Sequence, residues 1–417
     1  MRSIIQKIWE CLKRIADFFG IKLDPLRIAR VIAKIIHRKK RIWVFGSWFG
    51  EKYSDNSRYF YEYIIQKHPE IYPVWITKTQ RVKVYLDRRG DHCFMRDSLL
   101  SYLALAVCEA VFYTMSVNAD LSNRKWLFHS LQVQLWHGMP IKMIGVDAKK
   151  PQETLEANAK HYKDDLVIAT SPLTQATLMR AFVHSEAIVK VTGLPRNDIF
   201  SSDESKKQKF KNILGIEAAK KVVVYLPTFR DSDMFVGRKA TDVIRQIQSE
   251  EKLKELLRKY NTILLIKPHY HVENSVSSHF YIQDDFIKVI TIPEDYDIPD
   301  LLEIANVLIT DYSSCFIDYL LLDRPIIFYQ YDIEKYQQQE RGFYYRLEEI
   351  SVGPRIFNFE HFVSTLEKTL QGQDDFCDRR KKIRELFHSY LDKNACLRVF
   401  RAVSDKLEGR KISHEEM

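Results

Sequence analysis

The stretch from Asn306 to Tyr345, NVLITDYSSCFIDYLLLDRPIIFYQYDIEKYQQQERGFYY, leaves few folds open to this chain. Val307-Leu308-Ile309 is an apolar run too short for a helix, and Thr310-Asp311 ends it, as in a buried parallel strand. Phe316, Ile317, Tyr319, Leu320 and Leu321 then follow helical spacing, which makes Ser313 or Ser314 the natural N-cap. Arg324-Pro325 breaks that helix, and Pro325–Tyr329 supplies the next strand. A strand, a helix and a second strand in this order form a βαβ unit, and its strand-to-helix junction suits a phosphate. The plainer reading is an ordinary serine cap.

The same grammar recurs upstream. Ile42–Phe45 reads as a strand, Gly46–Gly50 as a glycine-bearing loop, Tyr53–Ser57 as the start of a helix to about Lys67, and Tyr72–Ile76 as the next strand. Residues 98–117 approach membrane-span length, but Glu109 and several hydroxyl residues interrupt them; a buried helix leading into a core strand fits better. Gln132–Leu135 delivers Trp136-His137-Gly138-Met139-Pro140 at its carboxyl end. Leu166–Ala169 runs into Thr170-Ser171-Pro172, with the following helix starting at Thr174, and Ile188–Val191 runs into Thr192-Gly193-Leu194-Pro195-Arg196-Asn197-Asp198. A polar, helix-like linker, Ser201 to Lys211, precedes a second series. There Val222–Leu226 ends in Pro227-Thr228-Phe229-Arg230-Asp231, a long amphipathic helix spans about 241–259, and Thr262–Ile266 ends in Lys267-Pro268-His269. Glu294–Asp300 leads a helix back into the Asn306–Tyr345 stretch. Three helical segments are expected after Asn358, finishing the second domain, with a return to the first as the alternative.

His137, Arg196, Arg230, His269 and Ser313-Ser314 thus each follow an expected strand, where open parallel sheets bind ligands. A lone histidine is most often structural, and Arg196 paired with Asp198 as a hinge is as natural as direct catalysis. The wording of these segments goes further. LITDYSSCFIDYLLLDRPIIFYQYDIEKY with RGFYY resembles the hallmark segment of the CDP-glycerol glycerophosphotransferases, the teichoic-acid primases and polymerases. The glycine loop followed by Ser54-Asp55-Asn56, WHGMPIKMIG, GLPRND, Pro-Thr-Phe-Arg and Lys-Pro-His are similar to that family's other motifs, in order, over roughly Trp43 to Arg346. Two positions depart from it: Met139 stands where a threonine is usual, and Tyr270 where a second proline is usual.

The resemblance implies an α/β, GT-B-like architecture of two Rossmann-type parallel-sheet domains facing a cleft. The expected boundaries are 1–41 for an amphipathic arm, 42–200 for an acceptor-side domain and 201–417 for a donor domain with closing helices. It also implies transfer of glycerol phosphate, or a related alditol phosphate, from a CDP-alditol to a hydroxyl of a lipid-linked or polymeric glycan, with CMP leaving. A hydroxyl needs a base at neutral pH, and His137 is the candidate. His269, Arg230, and Ser313 with Ser314 would supply donors to the phosphoryl oxygens and the departing CMP, with Thr228, Asp311, Arg196, Asn197, Asp198 and Lys267 as further substrate contacts. No cofactor is called for. Asp231-Ser232-Asp233 and Asp295-Tyr296-Asp297 have a metal-transferase-like spacing, but such triplets recur by chance, so catalysis without a metal is expected.

Charge sorts the chain into two regions. Residues 1–41 hold twelve Lys/Arg against Glu10, Asp17 and Asp24, a net +9, while the remaining residues balance. Ile4, Ile5, Ile8, Leu12, Ile15 and Phe19 fall on one helical face until Gly20, and Asp24-Pro25 starts a second helix carrying Ile28, Val31, Ile32, Ile35 and Ile36. Without an uninterrupted apolar core, neither a signal peptide nor a spanning helix is expected here, and the pattern suits the anionic cytoplasmic face of a membrane. Packing on the protein's own body or on another copy is the alternative. No nucleic-acid-binding signature accompanies the basic arm. The six cysteines form no C-x-x-C pair and read as reduced core residues of a cytosolic protein. A GT-B glycosyltransferase using a nucleotide sugar and a non-catalytic membrane scaffold are the competing readings.

Overall fold

The computed structural model describes residues 41–148, 163–200, 203–228, 239–268, 284–334, 336 and 342–415. The arm expected over 1–41 lies, but for Arg41, outside them, as do Arg230, His269, Tyr270 and the Asp231–Asp233 triplet.

Two parallel sheets form the frame. The first contains β1 (Arg41–Phe45), β2 (Ile71–Thr77), β3 (Cys93–Met95), β4 (Ala110–Tyr113), β5 (Leu131–Gln134), β6 (Leu166–Ala169) and β7 (Val189–Val191), in the order β3-β2-β1-β4-β5-β6-β7. The second contains β8 (Lys221–Leu226), β9 (Thr262–Ile266), β10 (Ile287–Val289), β11 (Val307–Thr310), β12 (Ile326–Tyr329) and β13 (Arg355–Ile356), in the order β10-β9-β8-β11-β12-β13. β1 pairs in parallel with both β2 and β4, and β8 with both β9 and β11. In each sheet the strand order therefore reverses beside the first strand. At such a switch point consecutive helices leave on opposite faces and a crevice opens at the carboxyl ends.

The apolar runs become strands because both faces are covered. Val222, Val223, Val224, Leu308 and Ile309 are fully buried, as are Val44, Phe45, Val111 and Phe112. Burying a Val, Leu or Ile side chain contributes about 1.5–3 kcal/mol, so these short central strands supply much of the gain that offsets chain entropy. Residues 99–107 form the expected helix before β4, and Glu109 accepts from Arg41 Nε and Trp43 Nε1, each at 3.1 Å.

Some local expectations shift. The helix after β6 starts at Pro172 because Ser171 caps it, closing a reciprocal box with Thr174. The long helix of 241–259 is two, Lys239–Ser249 and Glu251–Lys259, parted at Glu250. β3, β10 and β13 have only two or three residues each, too short to show a period. The segments after Asn358 are helices Phe359–Leu370, Cys377–Phe387 and Ala395–Glu415.

Contacts divide the chain into two compact units, one of Met1–His137, Lys163–Ile168 and Cys396–Met417, the other of Gly138–Tyr162 and Ala169–Ala395. The last helix thus belongs with the first unit, where Phe400 stacks on His68 at 3.6 Å and meets Trp43 at 5.9 Å between ring centroids. Among the described residues no helix is long and apolar enough to cross a membrane.

Candidate functional site

In the first unit the residues beyond β1, β4 and β5 converge on His137. The strand β5 ends at Gln134, and Trp136 takes a left-handed backbone (φ 55°) that turns the chain sharply. Asn56 holds that turn by donating from Nδ2 to the carbonyls of Leu135 and Trp136, at 3.0 and 3.1 Å. Gln134 adds a second tie: its Nε2 donates to Met115 O at 2.8 Å and its Oε1 accepts from Trp136 N at 3.2 Å. His137 Nδ1 lies 2.9 Å from Thr114 O. A carbonyl only accepts, so Nδ1 carries a proton, and in the neutral ring Nε2 holds the lone pair, the arrangement a general base requires.

The glycines of the loop after β1 have a packing role. A Cβ on Gly46 would lie 2.6 Å from Leu121 Cδ2 and 2.9 Å from Asp120 O, and one on Gly50 (φ +73°) would lie 3.2 Å from Asp120 O. These glycines let the loop pack against the turn Val117–Leu121. Between them Trp48 and Phe49 are left-handed, at φ 46° and 59°. Trp48 Nε1 donates to Asp55 Oδ2 at 3.0 Å, and its ring centroid stands 5.7 Å from that of His137.

In the second unit the chain just after His137 is fixed by two other motifs. Gly138 (φ +133°) has no room for a Cβ, which would lie 2.9 Å from Arg196 Nη2 and 3.2 Å from Ser314 Oγ. The Arg196 side chain is largely enclosed, and its Nη2 pairs with Asp318 Oδ2. Asp198, its neighbour in the Pro195–Ile199 turn, accepts from Ala395 N at 2.9 Å. Asn197 is buried, and neither side-chain amide atom finds a hydrogen-bond partner among the described residues. Met139 is buried. Onward from there Lys142 bridges antiparallel to Phe343, Met143 N donates to Gly342 O at 2.7 Å and Tyr344 N to Ile141 O at 2.9 Å. WHGMPIKMIG and RGFYY, 200 residues apart, are therefore zipped together over Ile141–Met143.

The switch point of the second sheet is tied by Asp311. Its carboxylate accepts from Thr228 N at 2.9 and 3.0 Å and from Tyr312 N at 2.6 Å, while Thr310 Oγ1 donates to Leu226 O at 2.9 Å. Asp311 thus aligns the loop that carries Thr228 with the one that carries Ser313 and Ser314. The helix after it is only Cys315–Tyr319, tightening into a 3-10 turn at Leu320–Leu322. Ser314 occupies the cap position without a side-chain cap bond; Ser313 Oγ accepts from Cys315 N at 3.3 Å instead. Lys267 is buried and its Nζ donates to Pro268 O at 2.8 Å.

Asp297 of the Asp295–Asp297 triplet is a helix cap, its N–H donating to Asp300 Oδ2 at 2.8 Å. Among the described residues no group of three or more His, Cys, Asp or Glu is placed to hold a metal ion. Asp120, Thr114 and Asp318 were not singled out from sequence, and Asn56 only as part of the Ser54-Asp55-Asn56 motif. A signal for the first two exists: the segment Thr114–Asp120, with polar Thr114, Ser116, Asn118 and Asp120 at alternate positions, follows β4 at the sheet's switch point, as the other site segments follow their strands.

The model of the family described as CDP-glycerol:poly(glycerophosphate) glycerophosphotransferase matches residues 28–405. The teichoic acid glycerol-phosphate transferase of Staphylococcus aureus (strain NCTC 8325 / PS 47) is 29% identical over 380 residues, 87% of this chain and 93% of that protein. The teichoic acid poly(glycerol phosphate) polymerase of Bacillus subtilis (strain 168) is 30% identical over 85% of this chain, which spans only 46% of the polymerase. Among solved structures, the wall teichoic acid polymerase TagF superposes with a TM-score of 0.74 at 23% identity, covering 97% of this chain and 98% of that one. That superposition shows the GT-B-like fold.

Proposed function

Given that the chain belongs to the CDP-glycerol:poly(glycerophosphate) glycerophosphotransferase family, we propose that it is a teichoic-acid enzyme moving glycerol phosphate, or a related alditol phosphate, from a CDP-alditol to an acceptor hydroxyl. The observation that carries the mechanism is the bond from His137 Nδ1 to Thr114 O, which leaves the Nε2 lone pair to take a proton. The acceptor hydroxyl gives its proton to Nε2 as its oxygen attacks the glycerol-bearing phosphorus. The bond from that phosphorus to the oxygen bridging it to CMP breaks, and CMP leaves with the electron pair. Charge spreads over the phosphoryl oxygens in such transfers, so fixed donors are the main catalytic need.

For these donors we assign, from their motifs, Arg230 and His269, with Thr228, Ser313, Ser314, Arg196, Asn197, Asp198 and Lys267 as substrate contacts. Asp311 serves by holding Thr228, and Arg196 acts as a pair with Asp318. The acceptor is a lipid-linked or growing glycan of the cell envelope, met at the cytoplasmic face of the membrane. The +9 of residues 1–41 supports anchoring there. Deleting residues 1–41 is expected to abolish sedimentation with anionic vesicles; undiminished sedimentation would remove the arm from that role.

The deciding experiment measures CMP release from CDP-glycerol, CDP-ribitol and UDP-sugars with a membrane extract as acceptor, for the wild type, His137→Ala and His269→Ala. Acceptor-dependent CMP release that either substitution abolishes is expected. UDP release instead, or activity that neither substitution touches, would overturn the reading in favour of glycosyl transfer.

A further inference from the structure

Behind His137 lies a carboxylate that the transfer step itself does not use. Asp120 is fully buried in the turn Val117–Leu121, and both its oxygens are committed. Oδ2 accepts from Thr114 N at 2.7 Å, from Met115 N at 2.8 Å and from Thr114 Oγ1 at 3.2 Å, while Oδ1 accepts from Phe49 N at 2.8 Å. Thr114 Oγ1 in turn accepts from Trp48 N at 3.2 Å. One side chain therefore joins the carboxyl ends of β1 and β4.

Both groups it holds reach His137. The Thr114 peptide presents the carbonyl that takes the Nδ1 proton, and the Trp48 ring stands beside the imidazole. The backbone at Trp48 and Phe49 is one that L residues avoid, at a cost of about 1–2 kcal/mol each. Such strain persists only where the surroundings over-determine it, and the two acceptors on the Trp48 and Phe49 amides are Thr114 Oγ1 and Asp120 Oδ1. Asparagine cannot substitute: it has a single acceptor oxygen, and its NH2 would face N–H donors.

We propose that Asp120 is the positioning residue for His137, acting through Thr114 to fix the imidazole tautomer and through the strained Trp48-Phe49 turn to fix one wall beside the ring. This rests on the reading of His137 as the base, and its test has a readout that needs no turnover. In the full-length protein, the ring nitrogen resonances of His137 are recorded by 15N NMR, assigned by their loss in His137→Ala, and compared with those of Asp120→Asn and Thr114→Val. The wild type is expected to show the Nδ1–H tautomer. Folded Asp120→Asn is expected to show a mixture with Nε2–H, and Thr114→Val a smaller change in the same direction.

In the CMP-release assay Asp120→Asn should lose about tenfold to a hundredfold in kcat, with KM for CDP-glycerol held within about threefold, because orientation and not donor binding is damaged. A folded Asp120→Asn with a wild-type tautomer overturns the proposal. Should that variant fail to fold, a wild-type tautomer in Thr114→Val overturns it equally. If the wild type releases no CMP, the tautomer still decides the positioning role while the transferase reading fails by itself.

Discussion

Replacing Gly138 by alanine tests how the chain leaves the proposed base. Two separate penalties are expected. The first is backbone: φ at Gly138 is +133°, a region L residues rarely enter, and residues held in such regions cost about 1–3 kcal/mol. The second is contact, since the new Cβ would lie 2.9 Å from Arg196 Nη2. The end of an exposed arginine would swing away at little cost, but this side chain is 11% exposed and paired with Asp318, itself 6% exposed. Moving it stretches a charge-assisted hydrogen bond of the kind that contributes about 1.5–3 kcal/mol. A total of about 3 kcal/mol lowers the melting midpoint by about 6 °C for a unit of this size. The adjacent His137 shifts with the peptide, and a displacement on the order of 1 Å costs about a hundredfold in turnover. Differential scanning at one scan rate and CMP release read the two effects separately. Arg196→Ala removes the nearer of the two atoms that the Cβ would meet, so Gly138→Ala made in that background should retain the backbone penalty and only the milder contact with Ser314 Oγ at 3.2 Å. The same loss in both backgrounds would refute the contact, and a wild-type midpoint and turnover in Gly138→Ala would refute the whole argument.

Other expectations follow from buried pairs away from the proposed base. Arg380 donates from Nη1 and Nη2 to Asp374 at 2.8 and 2.7 Å and from Nε to Asp323 at 3.2 Å, so Arg380→Ala should destabilise by about 3 kcal/mol in denaturant titrations while leaving KM for the donor unchanged. His388 donates from Nε2 to Ile317 O at 2.8 Å, and burial pulls its pKa below the ordinary value. The unfolded chain then takes up its proton first as pH falls below about 6.5, so this part of the stability is complete above that pH and drains away beneath it; His388→Gln should flatten that slope in melts across pH. Tyr344→Phe removes a hydroxyl that donates to Asp147 Oδ2 at 2.9 Å and accepts from Ile144 N at 3.2 Å, which should cost about 1 kcal/mol and speed amide exchange at Ile144.

How much of this was legible depends on the range of the interaction. Strands such as β6, β9 and β11 announce themselves because burial on both faces forces an apolar run and the chain must turn where the run ends. That local rule also marked His137, Arg196 and Ser313-Ser314 as candidate site positions. It could not reveal partners: that Arg196 pairs with Asp318, 122 residues on, or that Gly138 needs its missing Cβ for that same arginine, depends on which strand follows which in the sheet. Nor could it tell whether two glycines beside a strand end serve a ligand or close packing, here on Asp120 O. The distinction lies in what occupies the space a side chain would need, a property of residues some 70 positions away. Asp120 itself was hidden for a different reason. An acid in a polar segment between apolar runs normally signals solvent, and only the reversal of strand order between β1 and β4 turns that segment inward. Asp120 has no salt bridge among the described residues, and its burial is sustained by four hydrogen bonds, so the position depends on acceptor count and geometry, which is why asparagine, nearly identical in size, is the substitution that separates a space-filling side chain from a positioning one.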